Sequence, residues 1–230
     1  MKVKLLSLFL FLFSLTACSP NNQNDKTVHF GIAQKPQNLD PRFASDAASE
    51  KMNNLIYSSL FYYDSNFKMQ YDIVSYQIIS STEYVFELKE DLPYFHNGSR
   101  LNIKDIIATL ENVISDPMSP LAVEFKNIDK LVKISHERFS IFLKEADINF
   151  IQKLNIAILP SALINNNHNF SMNPVGSGMF RYIPTSNKIR LERINDGQVI
   201  EFIEIKDPTV RALKLLKREI DIVQNDLPIE

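Results

Sequence analysis

The segment YVFELKEDLPYFHNGSRLNIKDIIATLENVI, residues 84–114, changes its hydrophobic period within a single turn. Its first part alternates, so Tyr84, Phe86 and Leu88 fall on one face of an extended strand. Its last part repeats at helical spacing through Ile103, Ile106, Ile107, Leu110, Val113 and Ile114. Asn102 stands where the helix begins, and Asp105 three residues later makes a variant capping box. Phe95, His96 and the turn pair Asn97-Gly98 lie between strand and helix. A one-faced strand feeding a one-faced helix demands a layered, mixed architecture, because each apolar face must be buried on another element. The setting predicts a structural part for His96, its ring bonding loop backbone rather than acting as a base or ligand.

The same two periods interleave along the chain. TVHFGIA (27–33) alternates as a strand, and QKPQNLDPRF holds two prolines and reads as a loop. Asp46 caps a helix that carries Met52, Leu55, Ile56 and Leu60 on one face, with Glu50 in its first turn. Strands are expected at 73–81, 82–90, 130–135 and 138–144, with DPMSP (116–120) ending the central helix. INFIQKLNIAILP reads as a short helix running into an extended segment, and NNNHNFSMNP as a polar loop. After Gly176-Ser177-Gly178 come alternating segments at 179–184, 188–194 and 199–205. Asp207-Pro208 opens a last helix expected to bury Val210, Leu213 and Leu216, followed by a strand and loop in EIDIVQNDLPIE. The fold class implied is α/β or mixed α+β.

The N-terminus carries a processing signal. Lys2 and Lys4 precede the apolar run LLSLFLFLFSL (5–15), which has signal-peptide length and is too short to span a bilayer. It ends in Leu15-Thr16-Ala17-Cys18, the pattern of a bacterial lipobox. Residues 1–17 are therefore expected to be a lipoprotein signal peptide, with Cys18 the site of lipidation. Several acyl chains would anchor the protein to a membrane, since one chain alone binds marginally. Cys18 is the only cysteine, so no internal disulfide is available. Residues 18–26 read as a polar tether, and the folded body starts near Thr27.

Charge and motif content exclude several functions. The net charge is −2 and the basic residues are dispersed, which argues against a nucleic-acid partner. With 16 Phe, 8 Tyr and no Trp, the core is expected to be rich in Phe. The histidines at 29, 96, 136 and 168 are scattered, and Ser140 stands where a His-Glu-x-x-His motif would need its second histidine. No metal or other cofactor is expected. GSG at 176–178 is too short for a nucleophile elbow and lacks the Gly-Lys-Ser/Thr of a phosphate loop. An enzyme is not expected.

VHFGIAQKPQNLDPRFASDAASEKMNNLIYSSLFYYD, then YVFELKEDLPYFHNGSRLNIKDIIATLENV, then NPVGSGMFRYI, then DPTVRALKLLKREIDIVQND follow one another in order. This order resembles the family 5 extracellular solute-binding proteins of ABC importers, the oligopeptide- and dipeptide-binding lipoproteins among them. The resemblance implies a periplasmic-binding-protein fold of the second type, in which a solute is captured between two lobes and handed to permease subunits. Members usually run to about twice this length, so the chain is expected to hold the first lobe only. Residues 27–44 and 159–224 would form its base domain, 45–158 an inserted subdomain, and 225–230 the start of the crossover to a second lobe. A lone lobe is expected to bind solute weakly or not at all, and a disrupted gene, a split gene or a deliberately cut piece would each give such a chain.

The resemblance also implies site residues. The loop after Leu39-Asp40-Pro41 lays backbone beside the ligand in peptide-binding relatives, which points to Phe43, Ala44, Ser45 and Asp46. Asp46 has the alternative of serving only as a helix cap. Gly176, Ser177 and Gly178 would let backbone approach the cleft, or form a tight turn. Met179 replaces the proline usual there, and the family's later Tyr-Trp is absent. Family members carry peptides, nickel chelates, haem, opines or sugars, and a peptide or other small solute is the expected ligand. The expected state is a monomer on the periplasmic face of a bacterial membrane or the cell surface. Two other classes stay open: a non-transport lipoprotein acting as folding helper or sensor, and an extracytoplasmic enzyme.

Overall fold

The computed structural model describes residues 27–224 and residue 227. The expected lipidation site Cys18, the expected signal peptide and tether, and most of the expected crossover lie outside the described residues. Two sheets organise the chain, each with its own apolar core.

The first sheet has strand order β11-β1-β10-β9-β8. Here β1 is Val28–Ile32, β8 Phe180–Ile183, β9 Ile189–Arg193, β10 Val199–Glu204 and β11 Ile222–Val223. β1 runs parallel to both β10 and β11, while β8, β9 and β10 form an antiparallel meander. Phe30 pairs with Phe202 across β1 and β10, and their ring centroids stand 5.4 Å apart. Helix α1, Ala47–Ile56, lies against β8 and buries Met52 and Ile56 in this core. Leu39, Tyr57, Leu159, Phe170, Phe180 and Leu191 complete it.

The second sheet is antiparallel, in the order β4 (Val74–Ser80), β5 (Glu83–Leu88), β7 (Arg138–Leu143), β6 (Ile128–Lys133). Alternate residues of β5 and β7 point into one core, where Phe86 opposes Phe139 with stacked rings 5.0 Å apart. Helix α2, Ile103–Ser115, adds Ile103, Ile106, Leu110 and Val113 to the same core. Its capping box forms as expected: Asn102 and Asp105 each accept a backbone N–H of the other's end. Such a reciprocal cap stabilises by about 0.5–2 kcal/mol. A two-stranded hairpin of β2 (Phe61–Tyr63) and β3 (Met69–Tyr71) precedes this sheet. Three short helices link the sheets' elements: α3 (Ala122–Phe125), α4 (Phe150–Lys153) and α5 (Ser161–Asn165).

The cores divide at Leu60 and at Ile158, which both belong to the second core. Helix α1 contributes to the first core instead. Met52 and Ile56 of this helix are buried with residues of the first sheet.

One expectation is overturned. Helix α6, Pro208–Leu216, starts at the Asp207 cap with proline first, yet Val210, Leu213 and Leu216 are exposed. Arg211 is the buried residue, and its guanidinium donates to the carbonyls of Ile205 and Lys206. Carbonyls at a strand's end must find donors when they are buried. Hydrogen bonding, not apolarity, thus selects the inward face of this helix.

Candidate ligand-binding site

Two chain segments cross between the cores side by side. Residues 57–60 leave α1, and residues 155–159 return to the base. Ser59 bridges Ala157, and the Ile158 amide donates to the Ser58 carbonyl at 3.0 Å. Thr109 of α2 both accepts from the Leu159 amide at 3.0 Å and donates from its hydroxyl, and Asp105 accepts from Ser161 at 2.8 Å.

The Gly176-Ser177-Gly178 segment is the third part of this joint. The Gly178 amide donates to the Ile56 carbonyl at 2.8 Å, and the Ser58 hydroxyl donates to the Ser177 carbonyl at 3.0 Å. The Gly176 carbonyl accepts from the His96 amide at 2.8 Å, and the Gly178 carbonyl lies 3.1 Å from His96 Nε2. A carbonyl only accepts, so this ring nitrogen carries its hydrogen. Burial pushes the His96 pKa below its usual value, outweighing the bond to Gly178, and the charge of Arg181 lowers it further. The imidazole is thus held neutral as a staple. The expected bonding to backbone exists, but the backbone belongs to a segment 82 residues away rather than to its own loop.

Two adjoining cavities lie along the crossing segments. The larger, about 650 Å³, is lined by Asn53, Asn54, Tyr57, Ser58, Ser59, Tyr62, Tyr63, Asp72, Asn155, Ala157, Ser177, Gly178 and Met179. Its volume falls in the range of about 300–1,000 Å³ common to small-molecule sites. The smaller, about 180 Å³, is lined by Pro41, Ala44, Glu50, Leu121 and Ile156, and shares Asn53, Asn54, Asn155 and Ala157 with the larger. The shared residues form a ridge between the two. Among the described residues, no side-chain partner is found for either amide atom of Asn53 or for the Ser177 hydroxyl, although both residues are buried. Buried polar groups are normally satisfied, so these atoms, closed to solvent here, gain a further partner only if the wall around them opens.

Of the residues expected at the site, Ala44 lies on the smaller cavity and Ser177 and Gly178 on the larger. Phe43, Ser45, Asp46 and Gly176 line neither. The Phe43 and Ala44 amides are already bonded to the Asp40 carbonyl, each at 3.1 Å, which leaves those two donors unavailable for strand addition. The Asp46 carboxylate caps α1, accepting from the amides of Gln37, Ala48 and Ser49 and from the Ser49 hydroxyl. Burial works to raise its pKa, but those hydrogen bonds outweigh burial and hold it below the usual value. The Cβ position of Gly178 faces the end of α1, where an added carbon would stand 2.6 Å from the Leu55 carbonyl oxygen, while the residue also borders the larger cavity.

Sequence reasoning missed Asn53, Asn54, Tyr62, Tyr63, Asp72 and Asn155. Asn53 offered a signal: an amide placed between Met52 and Ile56 interrupts the buried stripe of α1. Among the described residues no group of His, Cys, Asp and Glu is gathered to hold a metal ion. No helix among them is long and apolar enough to cross a membrane.

A mixed sheet carrying a second sheet-and-helix core on crossing segments is one lobe of a periplasmic-binding-protein fold of the second type. Solved structures share it. An oligopeptide-binding protein of Bacillus subtilis in complex with a nonapeptide superposes with TM-score 0.74 at 20% identity, over 84% of this chain and 43% of that one. NikZ of Campylobacter jejuni in complex with Ni(L-His) gives TM-score 0.75 at 21% identity, over 85% and 42%. The glutathione-binding protein GsiB of Pectobacterium atrosepticum is 28% identical over 152 residues, which is 63% of this chain and 29% of that protein. Residues 76–229 match the family described as bacterial extracellular solute-binding proteins, family 5 Middle. The chain belongs to that family. It spans less than half the length of these relatives.

Proposed function

We propose that this chain serves as the ligand-capturing lobe of an ABC importer's solute receptor, with peptides as its solutes. The ridge of Asn53, Asn54 and Asn155 between the two cavities is the face that meets the solute. The observation carrying this reading is the Asn53 amide, buried yet without a partner on either atom. A primary amide both donates and accepts, as a peptide group does, so it suits ligands whose side chains vary. The division of the lobe follows from the same reading: a base of the first sheet with α1, and an insert between Leu60 and Ile158. The signal-like N-terminus supports anchoring through Cys18.

Nuclear magnetic resonance titration with tri-alanine at millimolar concentration tests the reading. The side-chain amides of Asn53, Asn54 and Asn155 are expected to shift together, and shifts confined to other surfaces would overturn it. Anchoring is tested by Cys18→Ser, which is expected to move the protein from the membrane fraction to the soluble one. Retention of Cys18→Ser on the membrane refutes acylation there.

A further inference from the structure

Asp72 is the only acidic or basic side chain among the residues lining the larger cavity. One carboxylate oxygen accepts from the Ser59 amide at 2.9 Å. The other has no hydrogen-bond partner among the described residues. Burial raises the pKa of this group above the usual value, against the opposing pull of the Ser59 amide and of Lys89. The protein's own groups thus leave its negative charge under-compensated. Lys89 is exposed, lies outside the cavity, and donates to the Tyr71 carbonyl at 2.6 Å. Tyr62 and Tyr63 line the same cavity and remain 46% and 43% exposed, so each ring has surface available to a ligand.

A cavity with one negative charge and two tyrosines suits a cation. A carboxylate accepts a charge-assisted hydrogen bond from an ammonium or guanidinium, and an aromatic face attracts the same group. We propose that the larger cavity is a side-chain subsite selective for basic residues, with Asp72 as the residue that sets the specificity. The proposal rests on the solute-receptor reading above and adds the chemical class of the side chain taken.

The test compares Ala-Lys-Ala, Ala-Met-Ala and Ala-Glu-Ala as ligands of the full chain, by the same titration. Lysine and methionine have similar reach but differ in charge. Ala-Lys-Ala is expected to bind about tenfold more tightly than Ala-Met-Ala, the scale of one charge-assisted hydrogen bond offset by desolvation. Ala-Glu-Ala is expected to bind weakest. In Asp72→Asn, which keeps an acceptor for the Ser59 amide, the Lys/Met ratio is expected to fall to near one. Lys89→Met, outside the cavity, is expected to raise that ratio by removing a competing cation. Equal affinities for the three peptides overturn the subsite while leaving the receptor reading intact. An unchanged ratio in Asp72→Asn overturns the assignment to Asp72. Binding of none of the three overturns both readings. The wild-type comparison needs no variant, so a folding defect in Asp72→Asn cannot hide the answer.

Discussion

Gly176→Ala isolates the joint between the two cores. A Cβ built there would stand 2.0 Å from the Ile56 carbonyl oxygen and 2.7 Å from Tyr57 Cδ1. Carbon and carbonyl oxygen in ordinary contact stand about 3.3–3.6 Å apart. The shortfall exceeds an ångström, and the obstructing atom is backbone that ends α1. Gly176 does not adopt a left-handed φ, so the cost is steric alone. Relief requires the 176–178 segment to withdraw from Ile56, which strains the Gly178-to-Ile56 and His96-to-Gly176 bonds, both 2.8 Å. Overpacking costs about 1–3 kcal/mol, and each weakened hydrogen bond about 0.5–1.5 kcal/mol. The reduced freedom of the unfolded chain returns about 0.4–1 kcal/mol. The expected net loss is about 1–5.6 kcal/mol. Gly98→Ala is the control, since Gly98 has φ +85 with nothing within 4 Å of the added carbon. Its cost is the left-handed conformation alone, about 1–2 kcal/mol. Thermal unfolding reads both. A domain of this size shifts in Tm by roughly 2–4 °C per kcal/mol, so Gly176→Ala is expected to fall on the order of 5–15 °C. If Gly176→Ala is as stable as Gly98→Ala, the close approach to Ile56 is not what holds this joint together.

His96→Gln keeps a side-chain donor for the Gly178 carbonyl but removes a titrating ring. Unfolded histidine titrates at its ordinary value of 6.5, and burial sets the folded value lower. Between the two, the unfolded chain takes up a proton that the folded one refuses. The contribution is therefore complete above the unfolded pKa and is lost as pH falls toward the folded one. Wild type is expected to lose more Tm than His96→Gln between about pH 7.5 and about pH 5.5, and equal losses would exclude His96 as the cause. Asp46→Ala removes the acceptor for the α1 amides and is expected to cost about 1–2 kcal/mol in urea unfolding. Its folded pKa lies below 3.8, so its contribution is present above that value and lost as pH falls through the lower folded one. Acid unfolding of Asp46→Ala should consequently show a smaller loss than wild type over that range, and an identical profile would exclude the cap.

Legibility in the sequence followed the reach of each interaction. The α2 cap was readable because Asn102 and Asp105 are three residues apart and need no other partner. The alternation of Tyr84, Phe86 and Leu88 was readable because one sheet face meets one core. The β2–β3 hairpin was missed because FYYDSNFKMQY holds aromatics at most positions, which masks a period of two. Helix α5 was missed because five residues beside a polar run carry little periodicity. Helix α6 was misread because its hydrophobic stripe is real, but Arg211 answers carbonyls of the preceding strand end. Asn53, Asp72 and Asn155 escaped because cavities form between segments, and a lone polar residue in a sequence does not declare what it faces.

Phe-His-Asn-Gly and Gly-Ser-Gly, which lie in two of the segments that carry the family resemblance, form one hydrogen-bonded unit across 82 residues. The first belongs to the loop ahead of α2 and the second to the entry of β8, so each core donates one half. Ser177 and Gly178 are at once part of that unit and part of the larger cavity's wall. Any change that shifts His96 against Gly178 must therefore move that wall. Packed interiors respond to such a shift as a whole rather than by local yielding. If the larger cavity takes a solute as proposed, stability of the joint and affinity for that solute should fall together in Gly176→Ala. Affinity that survives unchanged while the joint weakens would separate the two.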